Sequence, residues 1–152
     1  MRDISLRRVS WADSQQLLEW ANEPSVRMAS LRDDTEITAD EHKEWLNQKL
    51  NNHSTFMWIL EVNRISCGLI RFEENRGDLT LSYLIDKRFR RQGLGKQILF
   101  LGIEKIRELG VGQCIIATVK NSNKKSMNAL LQSGFHQTLH RDNIVKFKYA
   151  LH

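Results

Sequence analysis

The chain has 152 residues, of which 41% are hydrophobic and 27% charged, the length and balance of one globular domain that buries about two thirds of its unfolded surface without disulfide or metal staples. Its net charge of +5 is concentrated: Lys87, Arg88, Arg90, Arg91 and Lys96 lie within residues 87–96 with no acid among them, so the rest sums to zero, which argues against a nucleic-acid partner tracked over many phosphates and for an anion held at one loop. No apolar run reaches a membrane span, the first residues carry no signal-peptide core, and Cys67 and Cys114 sit in apolar runs without metal-ligand spacing; a cytoplasmic protein with reduced, buried thiols, no metal and no membrane partner is expected.

From the N-terminus, Ile4, Leu6 and Arg8 alternate with Ser5, Arg7 and Val9, an edge-strand pattern that Ser10 stops. Ser10 and Asp13 have the spacing of a capping box ahead of a short amphipathic helix carrying Trp11, Leu17, Leu18 and Ala21, and Pro24 starts a second short helix or turn. After the polar loop Arg32-Asp33-Asp34-Thr35-Glu36, Thr38 and Glu41 make a second capping box. His42, Trp45, Leu46, Lys49 and Leu50 then share one face of a third helix; such a stripe is core more often than site. Thr55 to Val62 and Ile65 to Glu73 are β-rich runs joined at Asn63-Arg64, a weaker turn signal than Asn-Gly, and Asn75-Arg76-Gly77-Asp78 turns into a third run ending at Ile85.

A helix is expected from Leu94 to Leu109, closed by Gly110 and Gly112, followed by a buried, parallel strand from Gln113 to Val119. Asn121 or Ser122 caps a further helix ending at Gln132, with Met127, Leu130 and Leu131 inward. Gly134-Phe135 then leads to strands from His136 to His140 and from Ile144 to Tyr149.

The stretch from Tyr83 to Lys96 organises these elements. An apolar strand ends, a basic loop follows, and Gly93 and Gly95 open the long helix. Glycines there let a ligand approach the backbone, and the free N–H groups at the helix start point along its positive dipole end, which makes a phosphate cradle. The spacing is neither the G-x-x-x-x-G-K-[ST] of a nucleotide-hydrolysing loop nor the G-x-G-x-x-G of a dinucleotide fold.

Arg90-Arg91-Gln92-Gly93-Leu94-Gly95 resembles the [Q/R]-x-x-G-x-[G/A] acyl-CoA signature of the GNAT acetyltransferases. Asn123-Lys124-Lys125-Ser126, with Leu130 and Ser133-Gly134-Phe135, is similar to the family's N-x-x-S … G-F segment. The resemblance implies an α/β fold over residues 1–152 as one domain, a mixed sheet of about seven strands with helices on both faces and a central parallel pair, and acetyl-CoA as co-substrate. It implies that the two central strands splay, that the backbone of Tyr83, Leu84 and Ile85 pairs with the pantetheine arm and offers an N–H to the thioester oxygen, and that Asn123 and Ser126 meet the same arm. The pyrophosphate is expected on the N–H groups of Arg91, Gln92, Gly93, Leu94, Gly95 and Lys96, with Arg90 beside them.

The acid–base groups do not carry over. Many members place a glutamate in the strand before the cradle or in the next one, and a tyrosine midway along the later helix; the matching positions here are Thr80, Thr118 and Leu130. Alternation puts Thr80 and Ser82 on one face of the strand, opposite Leu79, Leu81, Tyr83 and Ile85. A weak base suffices only for an amine less basic than lysine, whose pKa is about 10.4 against about 8 for an α-amino group. The run from Trp20 to Arg27 (Trp-Ala-Asn-Glu-Pro-Ser-Val-Arg), then Ser30, Ile37 and Glu41-His42-Lys43-Glu44-Trp45, resembles acetyltransferases of nucleotide-linked amino sugars of the pseudaminic-acid type, and protein N-terminal acetyltransferases of the ribosomal kind share part of it. N-acetyl transfer to a primary amine by direct attack is therefore expected, with Ser82 and His42 handling the proton and Asn22, Arg27, His42, Thr80 and Ser82 around a small amine acceptor. A CoA-binding sensor that has lost catalysis is the alternative from another class, and a homodimer is left open.

Overall fold

Seven strands, β1 (Ile4–Arg8), β2 (Thr55–Val62), β3 (Ile65–Asn75), β4 (Asp78–Ile85), β5 (Cys114–Lys120), β6 (His136–Arg141) and β7 (Ile144–Ala150), form one sheet in the order β1-β2-β3-β4-β5-β7-β6. This computed structural model describes residues 2–32 and 35–152; Asp33 and Asp34, in the polar stretch read as a loop, lie outside the described residues. Neighbouring strands are antiparallel except β4 and β5, the central parallel pair. Among the described residues five α-helices accompany them: α1 (Ser14–Asn22), α2 (Pro24–Ala29), α3 (Ala39–Leu50), α4 (Leu94–Leu109) and α5 (Lys124–Gln132).

Two of the three two-residue hairpins, β2–β3 and β3–β4, explain why a poor turn signal is enough. Asn63 and Arg64 have φ of 51° and 66°, and Arg76 and Gly77 have 55° and 91°, so both loops put two successive residues in the left-handed region, the backbone that matches strand twist in a two-residue hairpin. Helix starts follow the expected chemistry with one shift. The Ser10 amide donates to Asp13 Oδ2 at 2.9 Å, and Thr38 Oγ1 accepts from the Glu41 amide at 3.2 Å while donating to Glu41 Oε1 at 2.9 Å. At α5 the cap is Asn123 rather than Asn121 or Ser122, its Oδ1 accepting from the Ser126 amide at 3.3 Å. The two earlier residues belong to the turn that ends β5, where the Asn121 amide is tied to Asn143 O and the Asn123 amide to Lys120 O.

Strand alternation sorts the apolar residues into two layers. Leu79, Leu81 and Ile85 of β4 join Leu94, Ile98, Leu99, Ile103 and Ile106 of α4 and Leu130 of α5 on one face. Leu17, Trp20 and Leu46, from α1 and α3, cluster with Met57, Ile59 and Leu69 on the other, and Leu84 packs against them. Gly102 lets α4 sit close to the sheet: a Cβ there would come 2.5 Å from Ile70 Cδ1. Among the described residues no helix is long and apolar enough to cross a membrane.

Candidate active site

β4 and β5 are paired only from Asp78–Cys114 to Leu81–Ala117. Beyond that point they part, while β4 stays paired to β3 as far as Ile85–Gly68. From Ser82 to Ile85 the side of β4 facing β5 therefore has no strand partner among the described residues, although backbone N–H and C=O groups require one. A cavity of about 1130 Å³ passes through this gap, from the cradle and α5 on one side to α2 and α3 on the other.

At the cradle, Gly93 has φ of 75° and precedes the first turn of α4. A Cβ built at Gly93 or Gly95 meets no protein atom within 4 Å. Protein packing therefore does not require these glycines; the backbone does at Gly93, and both stand at the start of α4, whose first N–H groups the helix cannot satisfy itself. Arg91, Gly93, Leu94 and Gly95 line the cavity, whereas Gln92 and Lys96 are exposed outside its lining. Arg90 is a brace as well as a charge: it donates to Ile85 O at 3.1 Å and to Ser25 Oγ at 2.8 Å, and approaches Glu23 Oε2 at 3.4 Å, fastening the loop to the start of α2.

Asp86 fixes the other end of the loop. It is buried, accepts from Trp20 Nε1 at 2.8 Å and from the Arg88 amide at 2.8 Å, and pairs with the Arg88 guanidinium at 3.0 Å. Burial by itself would raise its carboxyl, but the bonds from Arg88 and Trp20 outweigh it and bring the pKa down to about 2. The carboxylate thus joins α1 to the strand end that leads into the cradle.

On the α2–α3 side, His42 is buried, lines the cavity, and its Nδ1 has no hydrogen-bond partner among the described residues. Burial pushes the imidazole below its ordinary value, so at neutral pH it is an uncharged proton acceptor. Ser82 Oγ lines the same space and accepts from Arg71 Nη2 at 3.3 Å. Arg71 lies over the Trp45 ring, 5.2 Å from its centroid, with Nε 3.2 Å from Glu73 Oε1. Among the described residues lining the cavity, Arg32, Arg71, Arg90, Arg91 and Lys125 are cationic and Glu41 is the one carboxylate.

On the cradle side, Tyr83 and Ser126 share a hydrogen bond between their hydroxyls at 3.0 Å, and both line the cavity with Asn123. Burial raises the Tyr83 phenol, and the bond to Ser126 opposes this only in part. Leu130, where a family phenol would stand, is wholly buried in the core.

Of the residues expected around the acceptor, His42 and Ser82 meet in one cavity. Asn22 does not line it; its amide donates to Ile37 O and accepts from the Ile37 amide at 2.8 and 2.7 Å, tying α1 to the segment before α3. Arg27 on α2 and the exposed Thr80 are also outside the lining. Sequence reading overlooked Arg71, whose signal was a lone arginine inside the apolar run Leu69-Ile70-Arg71-Phe72.

The family model described as an acetyltransferase (GNAT) domain matches residues 3–136. Spermidine N-acetyltransferase from Vibrio cholerae, solved with CoA and spermine, superposes with a TM-score of 0.88 at 14% identity, covering 97% of this chain and 95% of that one. The yncA protein of Salmonella typhimurium, solved with its cofactor acetyl-CoA, gives 0.82 at 17% identity over 99% and 95% of the two chains. A ribosomal L7/L12 alpha-N-protein acetyltransferase in complex with CoA gives 0.84 at 12% identity over 97% and 94%. No curated protein sequence matches the chain. These structures share the fold, and the family model's match along most of the sequence carries one conclusion: the chain belongs to the GNAT family of acetyl-CoA-dependent acetyltransferases.

Proposed function

We propose that the protein transfers acetyl from acetyl-CoA to the neutral primary amine of a nucleotide-linked amino sugar, by direct attack on the thioester. The observation that carries this reading is the charge of the acceptor side. Arg71 is held over Trp45 and beside Ser82 with Glu73 as its ion-pair partner outside the lining, Arg32 lines the same cavity, and Glu41 is the only carboxylate among the described lining residues. Such a wall attracts the diphosphate of a sugar nucleotide and repels a polycation, because like charges in a partly desolvated cleft cost several kcal/mol by order of magnitude. The cavity, at about 1130 Å³, has room for a nucleotide-sized ligand beside the pantetheine arm.

In this reading the amine nitrogen forms the C–N bond, a backbone N–H in the unpaired part of β4 receives the developing oxyanion, and the amine proton leaves to His42 directly or through water held by Ser82. The cradle binds the pyrophosphate on the N–H groups from Arg91 to Lys96, and Asn123 and Ser126 border the pantetheine arm.

The test is an acetyl-CoA assay against UDP-linked amino sugars, peptides with free N-termini, and polyamines. The sugar nucleotides should turn over with the highest kcat/KM, and Arg71→Gln should raise their KM by roughly ten- to a hundredfold while leaving acetyl-CoA affinity unchanged. Preference for peptides would assign the protein to N-terminal acetylation. CoA binding without turnover of any amine would make it a sensor.

A further inference from the structure

We infer that the Tyr83 phenol is the proton donor to the departing CoA sulfur, with Ser126 as the hydroxyl that orients and recharges it. Expelling CoA leaves a thiolate, and a positioned acid assists that step. The groups lining the cavity offer few donors on the required side. Leu130 is sealed in the core, Thr118 ionises far too weakly, and the titratable lining side chains on the cradle and α5 side are the cations Arg90, Arg91 and Lys125 together with Tyr83. His42, Arg71, Arg32 and Glu41 stand on the α2–α3 side. Tyr83 shares the face of Leu81 and Ile85, the face of α4 and α5, so the strand places it on the side of the gap opposite Ser82.

The bond from Tyr83 to Ser126 crosses the gap from β4 to the first turn of α5 at 3.0 Å. The phenol is half-buried yet lines the cavity, and burial keeps it protonated well into the alkaline range. The two protons are then handled on opposite faces of the sheet.

The step balances as follows. The amine lone pair forms the C–N bond and the carbonyl electrons move to oxygen. Their return breaks the C–S bond, sulfur takes the electron pair, and Tyr83 Oη gives it a proton, leaving CoA as the free thiol. The phenolate regains a proton from water through Ser126 Oγ, and the amine has lost one to the His42 side. The inference rests on acetyl transfer from acetyl-CoA and not on which amine accepts.

An acceptor-independent measurement separates the two. A phenol that donates to sulfur stabilises the thiolate of bound CoA, so the thiol should ionise less readily in Tyr83→Phe. With CoA bound, NMR of the methylene beside its thiol should show an ionisation constant about tenfold lower in the variant than in the native protein, the scale of one hydrogen bond to a charged group. With the best amine of the panel, Tyr83→Phe should lower kcat by about a hundredfold without raising the KM for acetyl-CoA, and a fluorinated tyrosine at 83, being more acidic, should move the alkaline fall in kcat to lower pH. Ser126→Ala should cost less than Tyr83→Phe. An unchanged thiol ionisation in Tyr83→Phe overturns the assignment whatever the amine panel shows; so does an unchanged kcat, which would make the Tyr83–Ser126 contact a clasp between strand and helix.

Discussion

At Gly93 two demands meet in one residue, a φ of 75° and an approach to the backbone clear of protein atoms to 4 Å. Gly93→Asp sets a β-carbon in the left-handed region and a negative charge where the pyrophosphate is proposed to sit, so calorimetry should find acetyl-CoA binding abolished. Asp86 yields a prediction about pH. Its folded pKa of about 2 lies below the ordinary 3.8, so the unfolded chain binds more protons in that interval. The stabilisation is fully present above about pH 4 and is lost as pH falls toward 2. It is about 2 kcal/mol at most, since the carboxylate is buried but the Arg88 partner is largely exposed. Urea unfolding of Asp86→Asn should show a deficit of up to that size at pH 7 that shrinks as pH falls through this interval.

At the level of elements, the unpaired side of β4 is the most testable feature. Amides in Ser82–Ile85 that face β5 lack a strand partner among the described residues and should exchange with solvent quickly in the free protein, then slow when acetyl-CoA pairs with them. Exchange that is slow throughout would contradict this. Asn123→Ala removes the cap of α5 and should cost about 1 kcal/mol in thermal unfolding, with a further loss of acetyl-CoA affinity if the amide also meets the pantetheine arm.

Helix and strand positions were legible because each depends on local periodicity: Leu94 to Leu109 is α4 as read, with Gly110 in the left-handed conformation as its stop. The glycine loop that opens α4 was legible for the same reason, its glycines being close in sequence. What escaped depends on distant partners. Arg90 reaches Ser25 across 65 positions and Tyr83 reaches Ser126 across 43, and no window of sequence shows such a pairing. Asn22 looked like a ligand contact by motif, yet the segment carrying Ile37 folds back on it.

For the whole molecule, the proposed choice of acceptor rests on charge. On the acceptor side of the described lining, Arg32 and Arg71 against Glu41 predict that acceptor kcat/KM for a sugar nucleotide falls as salt rises, and that polyamines are poor acceptors at low ionic strength. The pH dependence should follow the neutral fraction of the acceptor, rising to a plateau near the amine's own pKa, with any limb from His42 below about 6.5 because burial lowers that group. A profile that tracks enzyme variants but not acceptor pKa would point to another base. The short β4–β5 junction also sets how the protein yields to force. One half of the sheet is β1 to β4, the other is β5, β7 and β6, and the pairs from Asp78–Cys114 to Leu81–Ala117 are all the ladder between them, with α4 as a strap beneath. Load applied across that junction, between anchors in β2 and β7, should open the molecule like a fabric torn at its seam. A bound pantetheine arm laid along β4 and clasped by α5 would be a stitch across the tear, so single-molecule rupture force becomes a readout of cofactor occupancy.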